Sequence, residues 1–518
     1  MKKIFNYIIA LTLTGTVLAC EDTLEIEDPN QVSVETYWGT EAEALAGVNA
    51  VYGAFYRNGT YARWLHMYLN PRSDDGFAST GWGELRSTID FTQLDFNFEG
   101  TRNIWDHHYR AIYRANQVIT NVPNIQMDET LKQRYIAEAK FLRALHYFNL
   151  VSLFRSVPLV LDPSRLTDLP FQVTEQETWT QIERDLTEAA PNLPAKYDLE
   201  NLGRATRGAA YALLGKAHLQ QREYQQALDA FAWLVDGDGS RLGLSGNDLY
   251  DLVPNYRDNF LHTTENNRES VFEVQFLALQ STTDEDAPTS NLGNQRGPFF
   301  GPGRRNQGDP QAGFNDFQMH RWVIDEFMQE RTTSNAVDPR LYATAIFNGN
   351  PGTFYGRTFD QLVPDNLMQA AWYRKYLNDY HRVDETFEGP INFRVIRYAD
   401  VLLMYAECLN ALNRTAEAYP HVDRVRQRAG LAPLSTARPG LSQQAFMEQL
   451  EHERITELTG ESTRWLDLLR WGYLDDPARV NELEARDPEF NNFDIPRDKW
   501  LPIPQSEIDI NPNLNQNF

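Results

Sequence analysis

Apolar residues recur every three to four positions along most of the chain, which predicts a mostly helical protein. In residues 41–55 (EAEALAGVNAVYGAF), Ala44, Val48, Val51 and Phe55 fall on one helical face. The same spacing predicts further helices in four other stretches: 105–122, 131–154, 179–190 and 443–471. By contrast, residues 269–276 (ESVFEVQF) alternate between apolar and polar types, which is typical of a strand.

Residues 207–236 predict two antiparallel helices packed as a pair. Gly215, Ala227 and Phe231 occupy positions where the tetratricopeptide repeat places its small and large residues. The small residues allow the two helices to approach closely, and the large ones fill the groove between them. A second stretch, 400–428, carries the same spacing, so the scaffold is expected to contain tetratricopeptide-like helical pairs.

Two long stretches interrupt the helical pattern, at 281–315 and 338–376. Both are rich in Gly, Pro, Asn and Asp, and both contain aromatic residues. Irregular segments of this length are uncommon in compact domains and are usually functional or disordered. Their aromatic content favours a functional, ligand-binding role.

The first 24 residues are typical of a secretory signal. Lys2 and Lys3 precede a short apolar run, Ile8–Leu18, which is too short to span a bilayer. The Ala19–Cys20 pair that follows resembles the lipobox of bacterial lipoproteins, in which the cysteine is acylated. We therefore expect a signal peptide at 1–19 and lipidation of Cys20; a secreted protein with a chance cysteine at the cleavage site is the alternative.

Charge and cysteine content narrow the class of protein. The formal net charge is −24, and a field of that sign repels nucleic acid and anionic lipid surfaces. Cys20 and Cys408 are the only cysteines, so lipidation of the first leaves no disulfide within the chain. Cys408 lies in an amphipathic helical pattern and is interpreted as a small buried hydrophobe.

Several segments, taken in order, resemble the SusD/RagB family of surface nutrient-binding lipoproteins of Bacteroidetes. The resemblance extends from Cys20 to Phe518. The segments that carry it are Asp28-Pro29-Asn30, GVNAVYGAFY (47–56), AKFLRALHYFNLV (139–151), VPLV (157–160), GRATRGAAYALLGKAHL (203–219), NRESVFEVQF (267–276), DPRL (338–341), RYADVLLMYAECLNAL (397–412), ERITELTGESTRWLDLLRWG (453–472) and LPIPQSEIDINPNLNQN (501–517). Arg155-Ser156 departs from the family, which usually has a glycine before VPL.

The resemblance implies a SusD-like fold in which helical pairs form the scaffold and long loops build the ligand-binding face. It also implies an outer-membrane lipoprotein, displayed on the cell surface, that delivers oligosaccharide to a SusC-like TonB-dependent transporter. We expect a lipidated tether and N-terminal segment at 20–40 and a single domain at 41–518. Within that domain, 41–260 and 397–472 form the scaffold, and insertions around 57–100 and 281–380 form the binding face.

Ligand-binding residues are not held in fixed motifs of this family, so they are predicted from the chain itself. Neutral sugars are recognised by exposed, rigid aromatic faces with polar groups beside them. Trp82 lies between Gly81 and Gly83 on a mobile or tightly turned loop, and Trp322 lies near the start of a helix after the 281–315 loop. The predicted partners are Arg72, Asp74, Phe299, Arg304 and Asn306. The alternative for the tryptophans is core packing, and for the polar residues a solvated loop.

Catalytic and metal-binding motifs were also considered. The chain contains no G-x-S-x-G elbow, P-loop or G-x-G-x-x-G. His452-Glu453 begins like a zincin motif, but Thr456 replaces the second histidine. The acidic run 284–286 lacks the spacing of an EF-hand, and His218 is interpreted as a packed helix residue. We therefore expect no catalytic residue, cofactor or metal.

The sequence thus predicts a non-catalytic, cell-surface glycan-binding lipoprotein, with a neutral glycan favoured by the acidic charge balance. Its partners are expected to be an oligosaccharide or polysaccharide, a SusC-like transporter and, through Cys20, the membrane. A peptide-binding uptake lipoprotein of the same fold remains the alternative, because aromatic loops suit either ligand.

Overall fold

The computed structural model describes residues 37–165, 167–235, 249–278 and 292–518. The predicted signal peptide, Cys20 and the acidic run 284–286 lie outside them. The longer helices of the described part are α1 (Glu41–Tyr52), α2 (Glu99–Asn121), α3 (Glu129–Phe154), α4 (Glu175–Ala189), α5 (Arg207–Gln220), α6 (Tyr224–Val235), α7 (Tyr398–Ala411), α8 (Thr415–Arg428), α9 (Gln443–Leu458) and α10 (Pro477–Arg486). The mostly helical class is confirmed.

Shorter elements lie between these helices. The short helices are Trp64–Leu69, Gly83–Ile89, Gly297–Phe300, Arg321–Met328, Arg340–Thr344, Phe359–Leu362, Leu434–Ala437, Arg464–Arg470, Ile495–Asp498 and Gln505–Ile510. The strands are β1 (Gly76–Ala78), β2 (Ser270–Val274), β3 (Phe317–Met319), β4 (Ala345–Phe347), β5 (Ala371–Tyr373) and β6 (Phe393–Arg397). They form antiparallel two-stranded ribbons that pair β1 with β3, β2 with β6 and β4 with β5.

The helical pair predicted at 207–236 is confirmed as α5 and α6. A Cβ atom at Gly215 would lie 2.4 Å from Cε1 of Phe231, so this glycine is required for the close approach of the two helices. The second predicted pair is likewise present as α7 and α8, with Cys408 buried in α7. Both pairs therefore pack as the repeat spacing predicted.

The prediction of one continuous helix at 443–471 is wrong. The pattern at 443–471 breaks into α9 and the helix Arg464–Arg470, because Gly460 and Ser462 adopt left-handed conformations with φ of 83° and 63°. Apolar periodicity continues across this break, which is why the sequence did not reveal it. The other helices are present, with ends shifted by a few residues.

A network of buried ion pairs lies beneath this break. Arg397 donates hydrogen bonds to Glu269, Glu457 and Glu461, and Arg428 pairs with Glu269 and Glu457. Burial opposes ionisation of Glu457, but the Arg428 and Arg397 charges hold the pKa of its carboxyl well below the ordinary value. The 453–472 motif thus serves the scaffold rather than the ligand.

Arg155 follows α3 with φ 64° and ψ −94°, a conformation that side-chain-bearing residues rarely adopt. It stands where the resemblance expects a glycine, and the backbone geometry explains that expectation. The backbone N–H of Arg155 still donates to the Val151 carbonyl at 2.9 Å.

In the described part of the chain, every helix is too short or too polar to cross a bilayer.

Candidate functional site

Trp82 caps the short helix Gly83–Ile89 and is held firmly on the surface. Its backbone N–H donates to the Thr80 hydroxyl at 3.1 Å, and its carbonyl accepts from the Arg86 N–H at 3.0 Å. A Cβ atom added at Gly81 or Gly83 would meet no atom within 4 Å. Packing therefore does not require a glycine at either position.

Aromatic contacts fix the orientation of this indole. The half-buried Trp82 ring packs edge to face against Trp64, with centroids 5.7 Å apart, and against Phe98 at 5.4 Å. Trp64 is fully buried beneath it. Contacts of this kind contribute about 0.5–1.5 kcal/mol each beyond area burial. The loop thus presents a rigid half-buried ring, as a stacking surface for a sugar requires.

Phe314 and Phe387 form the second part of the same surface. Phe314 is 44% exposed and Phe387 is half-buried, with ring centroids 6.0 Å apart. Both pack on Phe299, at 5.6 Å and 5.9 Å, and Phe299 in turn lies 6.4 Å from Trp64. We call Trp82, Phe314 and Phe387 the aromatic patch; Trp64, Phe98 and Phe299 form its floor.

The loop carrying Trp82 and the loop carrying Phe314 are joined at the β1–β3 ribbon. The first loop follows β1 and the second precedes β3, so in an antiparallel pair both leave the same end. The Ser79 N–H donates to the Asp316 carbonyl at 2.8 Å, and the Ser79 hydroxyl donates to the Asn315 carbonyl. The ribbon therefore determines the spacing between the loop that carries Trp82 and the loop that carries Phe314.

Polar side chains lie in the chain segments that lead to Phe314 and away from it. Asp316 is half-buried, and burial raises the pKa of its carboxyl while a hydrogen bond from Thr80 opposes the rise. Arg304 is exposed and donates to the amide oxygen of Gln311. Asn306 is also exposed, and its side-chain amide donates to Asp309 at 3.0 Å. Exposed donors and acceptors of this kind suit a ligand rich in hydroxyl groups.

The prediction that Arg72 and Asp74 contact the ligand directly is wrong, because both side chains are buried in the framework. Asp74 is 0% exposed; Arg464 binds it through both carboxylate oxygens at 2.6 and 2.7 Å, and Arg486 adds a third contact at 3.1 Å. The Arg72 guanidinium lies 4.4 Å from the Trp465 ring centroid, and burial lowers its pKa to about 10. The sequence showed charged residues near Trp82 but not their buried partners.

The prediction that Phe299 contacts the ligand directly is also wrong. It is 5% exposed and supports Phe314 and Phe387 from below. Phe314 and Phe387 are accessible aromatic residues that the sequence did not single out as candidates. Phe314 follows Gly313 in a Gly-rich loop, which is a usable signal, whereas nothing in the sequence around Phe387 distinguishes it from a core phenylalanine.

Trp322 lies outside the aromatic patch. Its indole N–H donates to the Asp74 carbonyl at 2.7 Å, and the Arg486 guanidinium lies 5.0 Å from its ring centroid. The ring is half-buried, so one part remains accessible. Among the ring contacts between described residues, none joins Trp322 to Trp82 or Phe314.

A larger cleft of about 990 Å³ lies elsewhere, between the ends of α3, α4 and α5 and the C-terminal segment. Two tryptophans line it, but Trp179 and Trp500 are only 4% and 9% exposed. Their rings therefore offer little face for stacking. Phe518 also lines the cleft and is 49% exposed, but it is a single accessible ring, whereas the aromatic patch combines three.

Comparisons with known proteins agree with this architecture. Residues 268–518 match the family model described as the SusD family, and residues 39–219 match a second model, described as starch-binding associating with outer membrane. SusD-like protein P25 of Formosa agariphila is 28% identical over 539 aligned residues, which cover 99% of this chain and 98% of that protein.

Two solved structures share the fold over nearly the whole chain. A SusD superfamily protein from Bacteroides vulgatus has a TM-score of 0.79 and 25% identity, covering 93% of this chain and 99% of that one. A laminarin-binding SusD-like protein has a TM-score of 0.74 and 28% identity, with the same coverage. The helical scaffold, the order of the segments and these matches agree, and the chain belongs to the SusD/RagB family.

Proposed function

We propose that this protein is a non-catalytic glycan-binding lipoprotein of the outer membrane, and that it holds a neutral oligosaccharide or polysaccharide on the aromatic patch. The observation that carries the proposal is the accessible, rigid arrangement of Trp82, Phe314 and Phe387 over a buried aromatic floor. The C–H face of a sugar ring is apolar and packs on such rings, and fixed rings lose little conformational entropy on binding.

The charge of the protein supports a neutral ligand. The net charge of −24 disfavours sulfated or uronic polysaccharides, because the long-range field repels them. Arg304 and Asn306 are exposed in the loop that precedes Phe314, and we expect them to supply hydrogen-bond donors for hydroxyl groups. Similarity to a laminarin-binding protein and to a family described as starch-binding makes neutral glucans the first ligands to test.

Membrane attachment and delivery belong to the same proposal. The N-terminal pattern supports lipidation of Cys20, and the family description supports an association with the outer membrane. Two or more acyl chains anchor a protein stably. We expect the captured glycan to pass to a SusC-like TonB-dependent transporter. Replacing Cys20 with alanine is expected to release the protein from the membrane fraction, and retention of that variant would contradict the anchor.

Affinity electrophoresis through gels containing neutral and anionic polysaccharides tests ligand class and site together. A neutral glucan is expected to retard the wild type, and Trp82→Ala is expected to migrate as in a gel without glycan. Phe171→Ala is the matched control, because Phe171 is a 71% exposed aromatic residue outside the patch.

Three results would count against parts of this proposal. Retardation by an anionic glycan alone would contradict the neutral ligand, and equal loss in Phe171→Ala would contradict the site. Binding of peptides without retardation by any glycan would favour peptide uptake instead. Release of shortened products from the glycan by the purified protein would show that it is an enzyme.

A further inference from the structure

Two carboxylates and an imidazole converge where helices α4, α5 and α6 meet, on the helical scaffold. Glu183 extends from α4, His218 from the last turn of α5, and Glu223 from the turn before α6. Nδ1 of His218 lies 2.6 Å from Oε2 of Glu223 and 3.8 Å from Oε1 of Glu183. All three side chains are half-buried, so solvent reaches the cluster.

The turn between α5 and α6 creates this arrangement. Arg222 adopts a left-handed conformation with φ 60°, which reverses the chain directly after α5. The Glu223 N–H then donates to the His218 carbonyl at 2.9 Å, so the two side chains start from adjacent backbone positions. Close packing of α4 against α5 adds Glu183. Glu183 therefore lies next to His218 and Glu223 in the fold, although it is far from both in the sequence.

The cluster lacks a fixed positive charge. In the described part of the chain, neither Glu183 nor Glu223 forms an ion pair with an arginine or lysine, and the further side-chain donor is Gln221, at 2.7 Å from Glu183. Two carboxylates so close together repel each other unless a cation lies between them.

A second cluster of the same composition shows the contrast. Glu330, His452 and Glu453 also converge, but the Arg426 guanidinium binds both carboxylates, the Glu330 contact being 2.6 Å. The position that a cation would take is thus already filled by the protein's own charge. This second cluster provides a matched control for the first.

We propose that Glu183, His218 and Glu223 bind a divalent transition-metal ion, with zinc as the ion of first choice. Zinc takes imidazole nitrogen and carboxylate oxygen ligands at about 2.0–2.2 Å, which places neighbouring ligand atoms about 3.3 Å apart. The His218–Glu223 distance must therefore open and the His218–Glu183 distance must close, each by less than about 1 Å. Side-chain rotation suffices for both changes.

Binding of the ion requires the release of any proton on His218 and a fourth ligand from solvent. Nδ1 of His218 must be unprotonated to bind the ion, so a proton held there passes to solvent on binding. Water completes the fourth position of a tetrahedral site, since all three side chains are half-buried rather than enclosed. The bound ion would tie α4 to the α5–α6 turn and so stiffen the scaffold without touching the aromatic patch.

Calorimetric titration of the full-length protein, purified without a histidine tag, with zinc chloride in metal-free buffer tests the site. We expect one ion per chain and, at zinc about 100-fold above the dissociation constant, a melting temperature raised by about 2–3 °C. Cobalt in place of zinc is expected to give the visible absorption of a tetrahedral site.

Variants decide whether the binding belongs to this cluster. His218→Gln and Glu183→Gln are each expected to weaken zinc binding by at least about tenfold, and both are half-buried changes that leave the core intact. His452→Gln is expected to bind zinc like the wild type. Absence of a zinc isotherm, or an isotherm unchanged in both cluster variants, would overturn the proposal. In that event His218 and Glu223 form only a hydrogen-bonded pair within the scaffold.

Discussion

Replacement of Asp74 by asparagine separates a framework role from a ligand role. Asparagine keeps the shape of the side chain but removes the charge that Arg464 and Arg486 share. Breaking a buried ion pair on one side costs about 3–5 kcal/mol of unfolding free energy, because the remaining charge stays buried. Glu451 remains 3.0 Å from Arg464, so part of the compensation survives and we expect about 3 kcal/mol.

This loss has a measurable size in a thermal melt. For a chain of this length, the unfolding entropy is about 1 kcal/mol per degree, so Asp74→Asn is expected to melt about 3 °C below the wild type at neutral pH. Glu417→Gln is the control, since Glu417 pairs with Arg414 on the surface, where both side chains are about half exposed. Water and salt screen an exposed pair, so the control should shift the melting temperature by about 1 °C or less.

The pH dependence follows from the pKa of Asp74. Burial opposes ionisation, but the Arg464 and Arg486 charges hold that pKa below its ordinary value. A carboxyl with a depressed folded-state pKa contributes stability above the unfolded-state value and loses it as pH falls through the folded-state value. The difference in melting temperature between wild type and Asp74→Asn should therefore shrink below about pH 4.

Glycan affinity shows whether Asp74 serves the framework or contacts the ligand. We expect Asp74→Asn to bind glycan within about twofold of the wild type at a temperature where both are folded, because the side chain is 0% exposed. A variant with normal melting temperature and lost glycan binding would refute the reasoning and restore Asp74 as a ligand contact.

Three further predictions concern the scaffold and the loop behind the patch. Gly215→Ala is expected to destabilise the protein by about 1–3 kcal/mol, measured by chemical denaturation, because its Cβ would clash with Phe231; no change would show that the helices can separate freely. Arg155→Gly is expected to raise the melting temperature, since glycine relieves the φ 64° conformation, and a lower value would contradict strain there. Burial raises the pKa of Glu385 to about 7, so the stability that its protonated carboxyl contributes is present at low pH and lost as pH rises through that value. Glu385→Gln should therefore flatten the plot of melting temperature against pH between pH 5 and 8. A plot identical to that of the wild type would contradict this.

Sequence reasoning recovered the scaffold because periodicity and small residues report local packing. Gly215 and Phe231 illustrate this, since both their spacing and their sizes were visible in the chain. The break at Gly460 was not visible, because apolar spacing on either side of it remains in phase. Left-handed conformations at non-glycine positions such as Ser462 leave no signal in a single sequence.

The candidate site could be predicted from the sequence only in part, for a physical reason. Trp82 is half-buried against Trp64 and Phe98, because the exposure of a loop residue depends on partners remote in sequence. Asp74 is buried by Arg464 and Arg486, and Phe387 reaches the patch from a separate loop. No local pattern encodes these pairings, so they required the folded structure.

The proposed site requires one glycan chain to contact both Trp82 and Phe314, and a double-mutant cycle measured by calorimetry can test this. With the neutral glycan that retards the wild type, Trp82→Ala and Phe314→Ala are each expected to weaken binding about tenfold or more. The double variant should lose less than the sum of the two, because both rings contact the same ligand. Affinities in both single variants equal to that of the Phe171→Ala control would contradict the account.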